Sequence, residues 1–140
     1  MLTEKDKEVI QEAVANAEHK TSGEIRVHID KICEGDPVKR AVEVFEELKM
    51  HETALRNGVL IYVALSNHKL AIIGDKGINE LVPSNFWDST RDTLIHHFKS
   101  ENFVTGLEAA VNEAGKQLSA FFPLQEGDAN ELSNEISTNE

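Results

Sequence analysis

Three polar residues that suit a hard cation stand beside the apolar runs of this 140-residue sequence: Glu24, Asn57 and Asp75. Two carboxylates and an amide oxygen are the kind of ligand that Ca²⁺ and Mg²⁺ prefer over zinc-type nitrogen and sulfur donors. Backbone carbonyls around Gly74 and Gly77 could complete the shell, because glycine lets the backbone approach a ligand closely. The residue types therefore predict a Ca²⁺ or Mg²⁺ site, provided that the fold brings these segments together.

The neighbouring Arg56 offers a second interpretation of the same residues. Its guanidinium would pair with Asp75 or Glu24, and Asn57 would then only form the turn into the next strand. The spacing alone leaves both the ion pair and the cation site open.

The strands that must position this cluster are predicted from their hydrophobic patterns. Residues 24–32 alternate between apolar and polar side chains, which predicts a strand with one polar face near a sheet edge. Residues 58–65 are apolar throughout, as in a central strand that is covered on both faces. Residues 69–74 follow after a short turn, so these last two strands should form an antiparallel hairpin.

The connection between the first two strands sets the topology. An amphipathic helix over residues 37–50 joins them, and such a unit is right-handed with parallel strands. The starts of both strands then lie at one end of a mixed sheet, where the hairpin strand finishes. Residues 22–24, 53–57 and 74–77 are therefore expected to converge there.

A competing site is predicted at the opposite end of the sheet. It would use Asp30, Glu34, Asp36, Ser66 and Asn67, which lie at the carboxyl ends of the parallel strands, the usual ligand end of an open α/β sheet. Asp36 also precedes a proline at a helix start, so it is expected to serve as the helix N-cap.

The charge of the sequence restricts the classes of partner that we expect. The net charge is −11, and such an acidic surface repels phosphate backbones and anionic lipid, so we expect neither nucleic-acid nor membrane binding. A divalent cation or a basic protein partner is favoured instead. We predict one α/β domain over residues 1–123 and a disordered acidic tail over residues 124–140. Without a signal peptide or a long apolar run, we expect a cytoplasmic monomer.

Several familiar catalytic motifs are absent from the sequence. His51-Glu52 begins like a zinc-protease helix, but Leu55 stands where the second histidine should be. Cys33 is not followed by an arginine six positions later, and there is neither a Walker loop nor a nucleophile elbow. His28 is expected to be a hydrogen-bonded surface residue. No catalytic residue can be named from these patterns.

Several ordered segments resemble the TPM domain, a family that includes a thylakoid-lumen protein, a photosystem II repair factor and a receptor-modulating membrane protein. The resemblance covers residues 1–123. It is carried by Thr-Ser-Gly-Glu-Ile-Arg-Val at 21–27, Thr-Ala-Leu-Arg-Asn-Gly-Val-Leu-Ile-Tyr-Val-Ala at 53–64, Ala-Ile-Ile-Gly-Asp-Lys-Gly-Ile at 71–78, Phe86-Trp87 and Phe122-Pro123.

This resemblance implies an αβα sandwich with a mixed central sheet and C-terminal helices. It also implies divalent-cation binding, calcium in particular, and a stress or repair role. The alternative that it raises is a metal-dependent acid phosphatase, in which Asp75 and Glu24 would hold the ion and Arg56 a phosphate. A third alternative is an acidic interaction module that recruits a basic partner and binds no ion.

Overall fold

The computed structural model describes residues 2–124 and 136–139, which contain five helices and four strands. In chain order these are α1 (Glu4–Glu18), β1 (Glu24–Asp30), α2 (Pro37–Glu47), β2 (Gly58–Ala64), β3 (Lys69–Gly74), α3 (Lys76–Asn79), α4 (Asp88–Lys99), α5 (Phe103–Phe121) and β4 (Ser137–Asn139).

The four strands form one mixed sheet in the order β3-β2-β1-β4. Strand β1 runs parallel to β2, with Glu24 opposite Gly58, and β2 runs antiparallel to β3, with Val59 opposite Gly74. The predicted parallel unit and hairpin are therefore confirmed. Strand β1 lies next to the short edge strand β4, which pairs only with residues 28–30 of β1, so β1 is near the edge of the sheet as predicted.

Helices cover both faces of the sheet, which confirms the predicted αβα sandwich. One face of β1 and β2 packs with α1, α4 and α5 in a core that includes Ile25, Val27, Ile29, Val59, Ile61 and Val63. The other face packs under α2 in a smaller core that includes Ala41, Val44, Phe45, Leu60 and Tyr62. Strand β2 is buried along its whole length, which explains why its sequence is apolar without alternation.

Short polar segments set where the first two helices begin. The Thr3 side chain accepts a hydrogen bond from Asp6 N, and the Asp6 carboxylate accepts one from Thr3 N, which completes a capping box for α1. Asp36 accepts a hydrogen bond from Val38 N at 2.9 Å and caps α2 ahead of Pro37. The cap predicted at Asp36 is therefore confirmed.

The segment predicted as a disordered tail contains a strand. Residues 137–139 of the predicted 124–140 tail form β4, parallel to residues 28–30 of β1. Its sequence, Ser-Thr-Asn, carries no apolar pattern, so the pairing depends on the ready-made β1 edge rather than on local preference. Residues 125–135 and 140 lie outside the described residues, and the predicted boundary at residue 123 stays a prediction.

No helix within residues 2–124 and 136–139 has both the length and the apolar character needed to span a bilayer.

Candidate functional site

The three predicted segments do meet at the start of β1 and β2. The Asn57 carbonyl accepts from Glu24 N at 3.2 Å, and Asn57 Nδ2 donates to the Ser22 carbonyl at 3.2 Å. Asp75 N donates to the Gly58 carbonyl at 2.9 Å. Glu24, Asn57 and Asp75 are all buried, so the topology brings the three segments together at one end of the sheet.

Asp75 is held by an arginine. Arg56 Nε donates to one Asp75 oxygen at 2.8 Å and Nη2 donates to the other at 3.0 Å, a bidentate pair. Asp75 Oδ1 also accepts from Lys76 N at 2.7 Å and so caps α3. Both carboxylate oxygens thus have donors from the protein, and of the two interpretations for Asp75 the structure forms the ion pair.

The two glycines expected near a ligand pack against protein instead. The Gly74 carbonyl accepts from Asn79 Nδ2 at 3.0 Å. Gly77 N donates to the Arg56 carbonyl at 2.8 Å, and a Cβ on Gly77 would lie 2.1 Å from the Leu55 carbonyl oxygen. Gly77 is therefore required so that α3 can approach the 53–57 loop, whose residue Arg56 has a φ of 51°.

A carboxylate that the sequence did not single out lies beside Glu24. Glu18 Oε2 accepts from Ile25 N at 3.0 Å, while Glu18 Oε1 is buried and has no hydrogen-bond partner among the described residues. The pKa of Glu18 is raised to about 7, mainly by burial and in smaller part by the charge on Glu24, while the hydrogen bond from Ile25 N opposes the rise. Glu18 ends α1, so no strand-end pattern marks it.

Glu18 and Glu24 are the residues here that best fit a hard cation. Among residues 2–124 and 136–139, no three side chains of histidine, cysteine, aspartate or glutamate gather in a metal-ligand group. Mg²⁺ is commonly bound through one or two carboxylates and several waters, and Ca²⁺ also accepts backbone carbonyls. The buried Glu18 oxygen that lacks a donor is the observation that makes the pair suitable for such an ion.

The opposite end of the sheet holds a second polar network, centred on Asp30. Asp30 Oδ2 accepts from Tyr62 Oη at 2.6 Å and from Arg40 Nε at 2.9 Å, and Asp30 Oδ1 bonds His28 Nε2 at 2.7 Å. His28 Nδ1 lies 2.9 Å from Ser137 Oγ on β4. His28 is only 4% exposed, so the prediction of a surface histidine is wrong, although the prediction of a hydrogen-bonded one is correct.

Burial and hydrogen bonds fix the charges in this network. Burial lowers the pKa of His28, and the hydrogen bond that His28 donates to Asp30 only partly offsets this effect. Burial would raise the pKa of Asp30, but hydrogen bonds from Arg40, Tyr62 and His28 together lower it. At neutral pH the network therefore contains an ionised Asp30 and a neutral His28.

Asn67 and Ser66 of the competing site make local hydrogen bonds, whereas Glu34 lines a crevice. Asn67 accepts from Cys33 N at 3.2 Å and donates to the Cys33 carbonyl at 2.7 Å. Ser66 N donates to the Lys31 carbonyl at 2.8 Å. Glu34 lines a crevice of about 390 Å³ with Asp30, Ile32, Cys33, Arg40 and Asn139.

Comparison with known proteins agrees with this fold. Residues 1–117 match the TPM domain family. The chain belongs to that family. This TPM domain matches no curated protein.

Two solved structures are similar to this TPM domain. The NMR structure of the BA42 protein from the psychrophilic bacterium Bizionia argentinensis has 46% sequence identity and a TM-score of 0.93, and the match covers 99% of this chain and 96% of that one. The N-terminal domain of the cg2496 protein from Corynebacterium glutamicum has 13% identity and a TM-score of 0.66, covering 100% of this chain and 81% of that one. The second match shows the fold alone.

Proposed function

We propose that this TPM domain binds a divalent cation, Ca²⁺ or Mg²⁺, through the carboxylates of Glu18 and Glu24. The observation that supports this proposal is the buried Glu18 Oε1, which has no hydrogen-bond partner among the described residues. A buried carboxylate oxygen is costly unless it is paired, protonated or bound to a metal.

The electrostatics of the pair support the same conclusion. Glu24 is 3% exposed, and its charge adds to the burial that brings the pKa of Glu18 to about 7. Two close carboxylates disfavour each other's ionised form, and a dication relieves that repulsion. The net charge of −11 also raises the local concentration of cations at the surface.

This proposal keeps one predicted ligand and adds another. Glu24 stays a ligand, Asn57 contributes by holding the backbone of Glu24 in place, and Glu18 replaces Asp75. Asp75 is assigned to the ion pair with Arg56, so the arginine that a phosphatase would need for a phosphate is already occupied. The geometry therefore favours cation binding over phosphate-ester hydrolysis.

An NMR titration with CaCl₂ and, separately, MgCl₂ tests the proposal. We expect amide shifts at residues 18, 24 and 25, and we expect Glu18→Gln or Glu24→Gln to weaken binding on the order of tenfold or more, because each removes a charged ligand. Glu12→Gln, an exposed position on the same helix, is the matched control and should leave affinity unchanged.

Asp75→Asn separates this site from the one predicted by sequence. It should leave the affinity within about twofold, since Asp75 is not a ligand in this proposal. Shifts confined to residues 125–140 would instead indicate nonspecific binding to acidic side chains. Loss of binding in Asp75→Asn with unchanged binding in Glu18→Gln would refute the assignment.

A further inference from the structure

Three side chains at the carboxyl end of β1 form a hydrogen-bonded series of serine, histidine and aspartate. Ser137 Oγ lies 2.9 Å from His28 Nδ1, and His28 Nε2 lies 2.7 Å from Asp30 Oδ1. His28 and Asp30 share one face of β1, and β4 is in register with β1 so that Ser137 is opposite His28. The sheet itself therefore sets the alignment.

The hydrogen bonds on either side of the imidazole determine its tautomer. Asp30 is an acceptor when ionised, so the histidine proton lies on Nε2 and points at Asp30. Nδ1 is then an acceptor, and Ser137 Oγ must donate to it. A neutral imidazole that accepts the hydroxyl proton of a serine is the arrangement that activates a serine nucleophile.

The surrounding residues hold this arrangement rigidly. Arg40 Nε and Tyr62 Oη both donate to Asp30 Oδ2. The His28 ring also stacks on Tyr62, with ring centroids 5.9 Å apart and planes at 10°. Asp30 is thus a positioning residue, which fixes the orientation of His28 and stabilises the imidazolium that forms when His28 takes a proton.

An open crevice adjoins this series. Asp30, Arg40 and Asn139 line a cavity of about 390 Å³, and Asn139 is two residues from Ser137, which is itself partly exposed. Glu34 also lines the crevice. Because the crevice then has two carboxylates in its lining, it suits a small neutral substrate better than an anion. This is the carboxyl end of the parallel strands, where open α/β sheets bind their ligands.

We propose that Ser137, His28 and Asp30 form a nucleophilic site that hydrolyses small neutral carboxylic esters. Ser137 Oγ attacks the carbonyl carbon as its proton passes to His28 Nδ1. The ester C–O bond then breaks, and the alcohol leaves with that proton. Water next attacks the carbonyl carbon of the acyl-serine and gives one proton to His28 Nδ1. The bond between that carbon and Ser137 Oγ then breaks, and His28 passes the proton to Ser137 Oγ. The products are one carboxylic acid and one alcohol.

A fluorophosphonate probe tests the nucleophile directly on the full chain. The Ser137 Oγ–P bond should form as the P–F bond breaks, with fluoride leaving and the proton passing through His28. Mass spectrometry of the peptide 117–140 should place the adduct on Ser137 and not on Ser119. Urea-unfolded protein should not react, and Ser66→Ala, an exposed serine at the same end of the sheet, should react normally.

His28→Gln should slow labelling about a hundredfold or more, because it removes the base. Contact between residues 28 and 137 in NMR spectra of this variant shows whether β4 is still in place. Ser137→Ala gives a second, independent measurement, since it removes one hydroxyl from an edge strand and should abolish p-nitrophenyl acetate hydrolysis above background.

The proposal is overturned if native protein shows no adduct at Ser137 or if Ser119 and Ser66 react equally. It is also overturned if esterase activity survives Ser137→Ala. In any of these cases the network serves only to hold β4 on β1.

Discussion

Replacement of Glu18 by glutamine should make this domain more stable at neutral pH and should remove part of the pH dependence of its free energy of unfolding. In the folded protein the pKa of Glu18 rises from 4.5 to about 7, mainly through burial. The folded state therefore binds this proton more tightly than the unfolded chain does. The contribution of this bound proton to the free energy of unfolding is fully present below pH 4.5 and is lost as pH rises through 7.

The size of the effect follows from the pKa values. A difference of roughly 2.5 pKa units corresponds to a ceiling of about 3.4 kcal/mol. Glu18 is partly exposed, and solvent screening reduces this value, so we expect about 2 kcal/mol. Glutamine stays neutral at every pH and keeps an oxygen that can accept from Ile25 N.

Urea denaturation of wild type and Glu18→Gln at pH 4.5, 6 and 8 measures this difference. The two free energies of unfolding should agree at pH 4.5, and the variant should exceed wild type by about 2 kcal/mol at pH 8 without added cation. Glu12→Gln should follow wild type throughout. Parallel pH profiles for wild type and Glu18→Gln would show that folding does not raise the pKa of Glu18 and would refute this prediction.

Two further predictions concern packing and the buried network. Gly77→Ala should lower the free energy of unfolding by at least about 2 kcal/mol, because the Cβ of the alanine would lie 2.1 Å from the Leu55 carbonyl oxygen. An unchanged melting temperature would show that the 53–57 loop can move to make room for this Cβ. Tyr62→Phe should cost about 2 kcal/mol by removing a donor from the buried Asp30, and a loss below about 0.5 kcal/mol in urea denaturation would mean that Asp30 does not need this hydrogen bond.

Much of the sheet follows from local sequence. The unbroken apolar run of β2 correctly indicates that both of its faces are covered. The alternation in β1 does not give the number of covered faces, because Glu24, His28 and Asp30 on its polar face are buried as well. The parallel direction of β1 and β2 and the antiparallel return of β3 then bring Glu24, Asn57 and Asp75 to one end of the sheet. The Arg56–Asp75 pair was one of two interpretations because residue types alone do not tell whether an aspartate meets a cation or a guanidinium.

The position of Glu18 beside Glu24 and the pairing of β4 with β1 depend on tertiary contacts that no local sequence pattern predicts. Glu18, at the end of α1, lies beside Glu24 at the point where its carboxylate accepts a hydrogen bond from Ile25 N. Strand β4 is three polar residues that pair with an existing edge, so neither propensity nor periodicity marks it. The same-face spacing of His28 and Asp30 in β1 was a usable signal, but Ser137, their neighbour on β4, is far away in sequence.

The parallel pairing of β4 with β1 also has a consequence for the order of folding. The hydrogen bond between His28 and Ser137 joins residues 109 positions apart, so closing this contact carries a large loop entropy and gains only three residue pairs. Such a contact forms after the rest of the sheet and opens before it. During synthesis the outer edge of β1 is therefore bare until Ser137 has been made, and in the finished protein this edge should exchange its amide hydrogens first.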